Sequence, residues 1–176
     1  MKKIITTGLL TAALFVGINA NAQTMNDKAK PASPPATVTT KTKSGATITI
    51  HYSQPSVKGR MIGKEVEPMD GKVWRTGAND ATVFETDKDL KIEGQLLPAG
   101  KYGFFTLFDG KKVILIFNKT WKQWGAFKYD STQDIIRVTT NYTMFSPASE
   151  MMTFTISDKG VVDLLWGDRK VEFKVK

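Results

Sequence analysis

The sequence predicts an all-β protein, a two-layer antiparallel β-sandwich of about nine or ten strands, on three observations. Apolar residues recur with period two, turn dipeptides interrupt them at short intervals, and no window carries the 3.6-residue apolar stripe of an amphipathic helix. A closed β-barrel is the alternative, because both architectures bury one face of each strand.

In "ATITIHYS" Ile48, Ile50 and Tyr52 share one face while Thr47, Thr49 and His51 share the other. "RKVEFKVK" sets Val171, Phe173 and Val175 against Lys170, Glu172 and Lys174. An extended chain points successive side chains to opposite faces, so both are half-buried strands. "KYGFFTLFD" and "KKVILIFNK" are apolar on both faces and rich in aromatic and β-branched residues, which suits central strands. Asp109-Gly110 between them tolerates the positive φ of a tight hairpin, which makes the pair antiparallel. Further punctuation falls at Ser44-Gly45, Pro98-Ala99-Gly100, Asp158-Lys159-Gly160 and Gly167-Asp168. Strands are expected at 37–43, 46–53, 81–86, 89–97, 101–108, 112–118, 134–140, 150–157, 160–166 and 169–175.

Residues 1–22 read as a secretory signal peptide. Lys2 and Lys3 precede "IITTGLLTAALFVGI", and Ala20-Asn21-Ala22 supplies the small residues that a signal peptidase requires. The apolar run is too short to favour a permanent membrane span, and no second run of membrane length follows. A periplasmic or secreted location after cleavage near Ala22 is therefore expected. Residues 23–36, "QTMNDKAKPASPPA", are polar and proline-rich and read as a disordered linker. Residues 37–176 then form a single domain, large enough for its own core.

Composition narrows the chemistry. The chain has no cysteine, which excludes disulfides, thiol catalysis, Cys-ligated metals and a lipid anchor on cysteine. The one histidine, His51, lies mid-strand among threonines on the polar face, away from the loops where a Ser-His-Asp triad would be assembled. A lone His also argues against a transition-metal site, leaving only an oxygen-ligated calcium site open, and no cofactor is expected. Neither a phosphate-cradling glycine loop nor a dinucleotide fingerprint is present. The formal charge of +8 falls to +6 once Lys2 and Lys3 are removed, which favours an anionic or glycan ligand. Export argues against nucleic acid. The simpler account of the lysines is that they keep strand edges soluble.

Two connections are too long for hairpins, Gln54 to Thr76 and Asn118 to Gln133. The first gathers Lys58, Arg60, Trp74 and Arg75, with Asn79 just beyond. Guanidinium groups grip carboxylate or phosphate through paired hydrogen bonds, and a neighbouring indole stacks on a sugar or on the guanidinium itself. Against that ligand site stands the preferred structural reading: Arg75 buried and paired with Asp80 or Glu85, Asn79 capping a turn, and Trp74 filling the edge of the sandwich. The second connection, "TWKQWGAFKYD", offers Trp121 and Trp124 either as a carbohydrate platform or, preferred, as a Trp-Gly plug at the end of the core. If both loops cover one end, Trp74, Arg75 and Trp124 line one cleft.

"VKGRMIG", "GKVWRTGANDAT", "LPAGKYGFFTL" and "QWGAFKYD" followed by "IIRV" resemble, in that order, the domain-of-unknown-function 2911 family of exported bacterial proteins. The likeness covers roughly residues 35–175, and the block from Trp74 to Asn79 is its most specific element. The resemblance implies no activity. Gln54 stands where the family usually has an arginine before its proline, Asp80 where Glu is commoner, and "RMIGKEVEPMDGK" lacks the usual aromatic before its first glycine and a tyrosine near its proline. Any anion site here therefore rests on Lys58, Arg60 and Arg75.

The expected function is a non-catalytic ligand- or partner-binding module of the cell envelope, with Lys58, Arg60, Trp74, Arg75, Asn79 and Trp124 as candidate ligand-binding residues. The alternative is a periplasmic hydrolase of a glycan or ester, drawing on Glu65, Glu67, Asp70 or Asp80 with Arg75 as electrostatic stabiliser. A third reading is structural, with a sheet edge or apolar patch joining a larger assembly.

Overall fold

The computed structural model describes residues 32–176; the expected signal peptide and all but the end of the expected linker lie outside them. Among the described residues the regular structure is ten strands and one 3-10 turn: β1 (Pro35–Lys41), β2 (Thr47–Ser53), β3 (Val73–Trp74), β4 (Thr82–Thr86), β5 (Leu90–Ile92), β6 (Gln95–Leu97), β7 (Gly100–Asp109), β8 (Lys112–Asn118), the turn at Ser131–Gln133, β9 (Asp134–Ile156) and β10 (Val161–Lys174). None of the described residues forms a helix long and apolar enough to cross a membrane.

The expected antiparallel all-β class is observed, with eight strands in one large sheet and β5 and β6 in a separate two-stranded one. Strands run β1-β2-β4-β7-β8-β9-β10, with β3 added to β7, and the sheet curls into a half-barrel. The curl is closed by the chain after β2, which bonds to the far half of β9. Val57 N donates to Glu150 O at 2.9 Å and Met152 N to Pro55 O at 3.0 Å. Phe154 N donates to the Tyr52 hydroxyl at 3.2 Å. One core fills the concave face, containing Ile48, Ile50, Phe84, Phe104, Phe117, Phe154 and Phe173.

Several strand boundaries differ from expectation, and the two-residue β3 falls inside the expected 54–76 loop. β1 starts at Pro35, two residues early. The expected strand 89–97 is a hairpin of β5 and β6 turning at Glu93 (φ 44°) and Gly94 (φ 92°), two consecutive positive φ values as in a type I′ turn. The expected strands 134–140 and 150–157 are one strand, β9, which pairs with β8 through its first part and with β10 through the rest. Pro147 lacks a donor, but it lies where the β9–β10 register is already broken, so the strand continues past it. Gly167-Asp168 is likewise a bulge inside β10, between paired residues Leu165 and Arg169.

β7 and β8 are covered on both faces, as their composition predicts. Their convex side carries a second small core of Ala81, Phe105 and Ile116, overlaid by Ala126 and Tyr129 of the long loop after β8. Gly103 permits that close approach, since a Cβ there would stand 3.0 Å from Thr120 O.

Candidate functional site

The turn from β3 into β4 is built from its own backbone. Trp74 is 2 % exposed and donates its indole N–H to Gly77 O at 3.1 Å. Thr82 Oγ1 donates to Thr76 O at 2.7 Å, and Thr76 Oγ1 meets Thr106 Oγ1 at 3.1 Å. Thr76 and Asn79 both take positive φ, 52° and 59°. Asn79 Nδ2 donates to Ser33 O at 3.1 Å, so this residue ties the corner to the entering chain. A corner bonded this fully fixes the backbone on either side of Arg75.

Arg75 lines a cavity of about 200 Å³ together with Arg60, Glu67, Trp74 and Trp166. Its Nε is shielded from solvent and has no hydrogen-bond partner among the described residues. The expected pairing with Asp80 or Glu85 is not made. Asp80 is exposed, and Glu85 bonds instead to Lys101 at 2.9 Å, because alternation along β4 sends Glu85 to the outer face. Burial pushes the Arg75 pKa below the usual guanidinium value, and the negative charge of Glu67 offsets part of that shift. Glu67 is itself occupied: its Oε2 accepts from Met69 N at 2.6 Å, and its carbonyl accepts from the Trp166 indole at 2.7 Å.

Arg60 separates this cavity from a larger one of about 490 Å³ that also borders Lys64, Glu150, Asp168 and Arg169. The Arg60 guanidinium donates to Val57 O at 3.0 Å through Nε and to Ser56 O at 2.6 Å through Nη2. Lys58 is exposed and lines neither cavity. Its backbone N–H is held by Glu150, which also accepts from the Ser56 hydroxyl; these bonds hold the Glu150 carboxyl below its usual pKa. Gln54 donates to Met152 O at 3.1 Å and does not line the Arg75 cavity.

The single cleft joining Trp74, Arg75 and Trp124 does not form. Trp124 lines a different depression with Asp80, Lys122, Phe127 and Lys128. The Trp-Gly plug is also corrected: Trp124 is 61 % exposed, Phe127 86 % and Trp121 38 %. The residues that plug the space over β7 are Ala126 and Tyr129, since the positive φ of Gly125 (63°) turns the chain between them and Trp124. Of the loop acids, Glu65 accepts from Met61 N at 2.8 Å and Asp70 from Gly110 N at 3.0 Å, so each braces a turn. His51 faces outward on β2, within 3.0 Å of Thr37 Oγ1, as its position in the alternation predicts.

Sequence reasoning missed Trp166, Glu150 and Arg169. Each lies in β9 or β10 at an ordinary strand position, and only the docking of the 54–76 loop on those strands brings it to a cavity. Arg169 held a partial signal: it follows the Gly167 bulge and stacks over Tyr142 at 5.0 Å and Phe108 at 5.8 Å while donating to Ile62 O at 3.2 Å.

Comparison with known proteins supports the family resemblance. The family described as a protein of unknown function (DUF2911) matches residues 33–175. No curated protein and no solved structure matches. The family match takes in every strand, the Arg75 corner and the loop bearing Trp124, and on that extent the chain belongs to the DUF2911 family.

Proposed function

We infer that the protein is a non-catalytic binding module of the cell envelope, and that its site is the Arg75 cavity, which takes a carboxylate-bearing end group. The observation that carries this reading is the buried Nε of Arg75 without a hydrogen-bond partner among the described residues. A carboxylate approaching side-on accepts from Nε and one Nη together, and the paired bonds are the strong form of this interaction. A cavity of about 200 Å³ suits a terminal group rather than a whole oligosaccharide. Trp74 and Trp166 supply flat apolar walls, and both spend their indole N–H groups on backbone carbonyls, leaving polar recognition to the arginine. The non-catalytic part is supported by the loop acids, since Glu65 and Glu67 each hold a backbone N–H of their own segment and Asp70 holds that of Gly110 in the β7–β8 turn.

The test is thermal denaturation and calorimetry with a series of carboxylates: acetate, benzoate, glucuronate and short peptides with free C-termini. Ligand at about 100 times Kd is expected to stabilise the fold by about 2.7 kcal/mol. Arg75→Lys is expected to lose most of that gain, because it keeps the charge and loses the paired donors. Without ligand, Arg75→Ala is expected to change stability by less than about 1 kcal/mol, since no observed hydrogen bond is removed. A melting temperature indifferent to the whole series sinks the reading, as does binding that survives in both Arg75 variants.

A further inference from the structure

The loop from Lys119 to Asp130 combines a fixed backbone with bare aromatic side chains. Its ends and middle are pinned: Lys119 N donates to Gln133 O at 2.8 Å, Ala81 N to Gln123 O at 3.0 Å and Gly125 N to Asn79 O at 3.0 Å. Tyr129 is anchored through its hydroxyl to Asp134 Oδ2 at 2.6 Å and through its ring to Phe105 at 5.1 Å. From this platform Trp124 and Phe127 project into solvent, 61 % and 86 % exposed, whereas every other described phenylalanine except Phe145 is buried. Lys122 and Lys128 border the same depression, and Asp80 is the one acid on it.

We propose that this loop docks the protein on an anionic lipid bilayer, with Trp124 and Phe127 entering the interface and Lys122 and Lys128 meeting the phosphates. Charge complementarity selects the occupant. Lysine alternates with the aromatics here, whereas the centres of protein–protein interfaces are depleted in lysine. At a bilayer surface the combination is favourable, because indole and phenyl rings settle at headgroup level while lysine stems reach to the phosphates. The chain is basic overall, with a formal charge of +8 that becomes +6 without Lys2 and Lys3. A sugar platform needs aromatic faces set together, and the ring pairs found among the described residues include none of Trp121, Trp124 and Phe127. The Arg75 cavity is a separate feature, so failure of one proposal leaves the other standing.

The chain beginning at Gln23, which keeps every described residue, is mixed with vesicles of phosphatidylglycerol and phosphatidylethanolamine and, separately, of phosphatidylcholine. Tryptophan emission is expected to shift to the blue with the anionic vesicles alone, and brominated lipids are expected to quench it. Trp124→Phe should remove most of the quenching while leaving sedimentation with vesicles nearly intact. Phe127→Ser should weaken sedimentation about tenfold with an unchanged melting temperature. Each lysine is expected to contribute about fivefold, so Lys122→Ser with Lys128→Ser should weaken binding about 25-fold. Equal binding to both vesicle types, or anionic binding that ignores all these substitutions, overturns the proposal. So does failure to sediment with either vesicle, whether or not the same aromatics prove to drive self-association or oligosaccharide binding.

Discussion

Phe104→Ala is expected to lower stability by about 3–5 kcal/mol, read as a fall in the urea midpoint with little change in slope. Phe104 is 1 % exposed and stands where the curled sheet meets itself. Its ring centroid lies 5.1 Å from Phe117, 5.8 Å from Phe173, 6.0 Å from Phe154 and 6.5 Å from Phe84. Those four rings belong to β8, β10, β9 and β4, so truncating one side chain opens a void shared by the proximal and distal parts of the sheet. The void cannot collapse easily, because β7 is fixed by ladders to both β4 and β8. Phe105, one residue on, faces the opposite side and touches none of these four rings, so its loss should unseat the 119–130 loop instead. Phe104→Leu should recover most of the loss, and a variant as stable as the parent would mean that the aromatic cluster does not hold the curl.

Much of this architecture is legible in the sequence because it depends on alternation, a local property. The inward set Ile48, Ile50 and Tyr52 and the outward set with His51 follow directly from period two, as does the burial of both faces of β7 and β8. What could not be read is how far the strands extend. Turn residues at 141–149 and at Gly167-Asp168 are compatible with a break or with a bulge, and the choice depends on whether a neighbouring strand remains in reach. The closing of the half-barrel is invisible for the same reason, since it rests on bonds between residues about 95 apart, such as Met152 N to Pro55 O.

The candidate site was legible in part. The density of glycine, threonine and asparagine around Arg75 correctly marks a demanding corner, because two positive φ values and a close approach of Gly77 to Ser53 O concentrate there. The same residues do not say where the guanidinium goes. That direction is set by Trp166 and Glu67 on segments about 100 positions apart, whose hydrogen bond closes the cavity wall. The six residues first gathered as one candidate site separate into the Arg75 cavity with Trp74 and Arg60, the brace made by Asn79, an exposed Lys58, and the Trp124 loop. Polar density in a sequence locates a constraint, and long-range packing decides whether that constraint faces a ligand.

Asp134→Ala is expected to cost about 2–3 kcal/mol, and its effect should concentrate on the loop after β8. The Asp134 side chain is 8 % exposed and collects three donors: Asn118 Nδ2 at 2.8 Å, the Tyr129 hydroxyl at 2.6 Å and Arg137 Nε at 2.7 Å. Arg137, 41 % exposed, can turn to water when the carboxylate is removed, so most of the loss comes from Asn118 and Tyr129. Burial, then the bond to Asp134, push the Tyr129 pKa up to about 12. The folded state therefore holds this proton more tightly than the unfolded chain, whose tyrosines titrate near 10. The resulting contribution to stability is complete below about pH 10 and lost as pH rises through about 12. Ultraviolet titration of the parent should show one phenol ionising at the upper end of that window. In Asp134→Ala the same phenol should titrate lower, because the bond to Asp134 that raises its pKa is gone while Arg137 Nη2, which also donates to the Tyr129 hydroxyl at 2.6 Å, favours the phenolate. If the variant melts normally and its loop keeps the parent's protection from hydrogen exchange, the network is dispensable and the backbone bonds to Asn79 and Ala81 suffice to hold Trp124 and Phe127 in place.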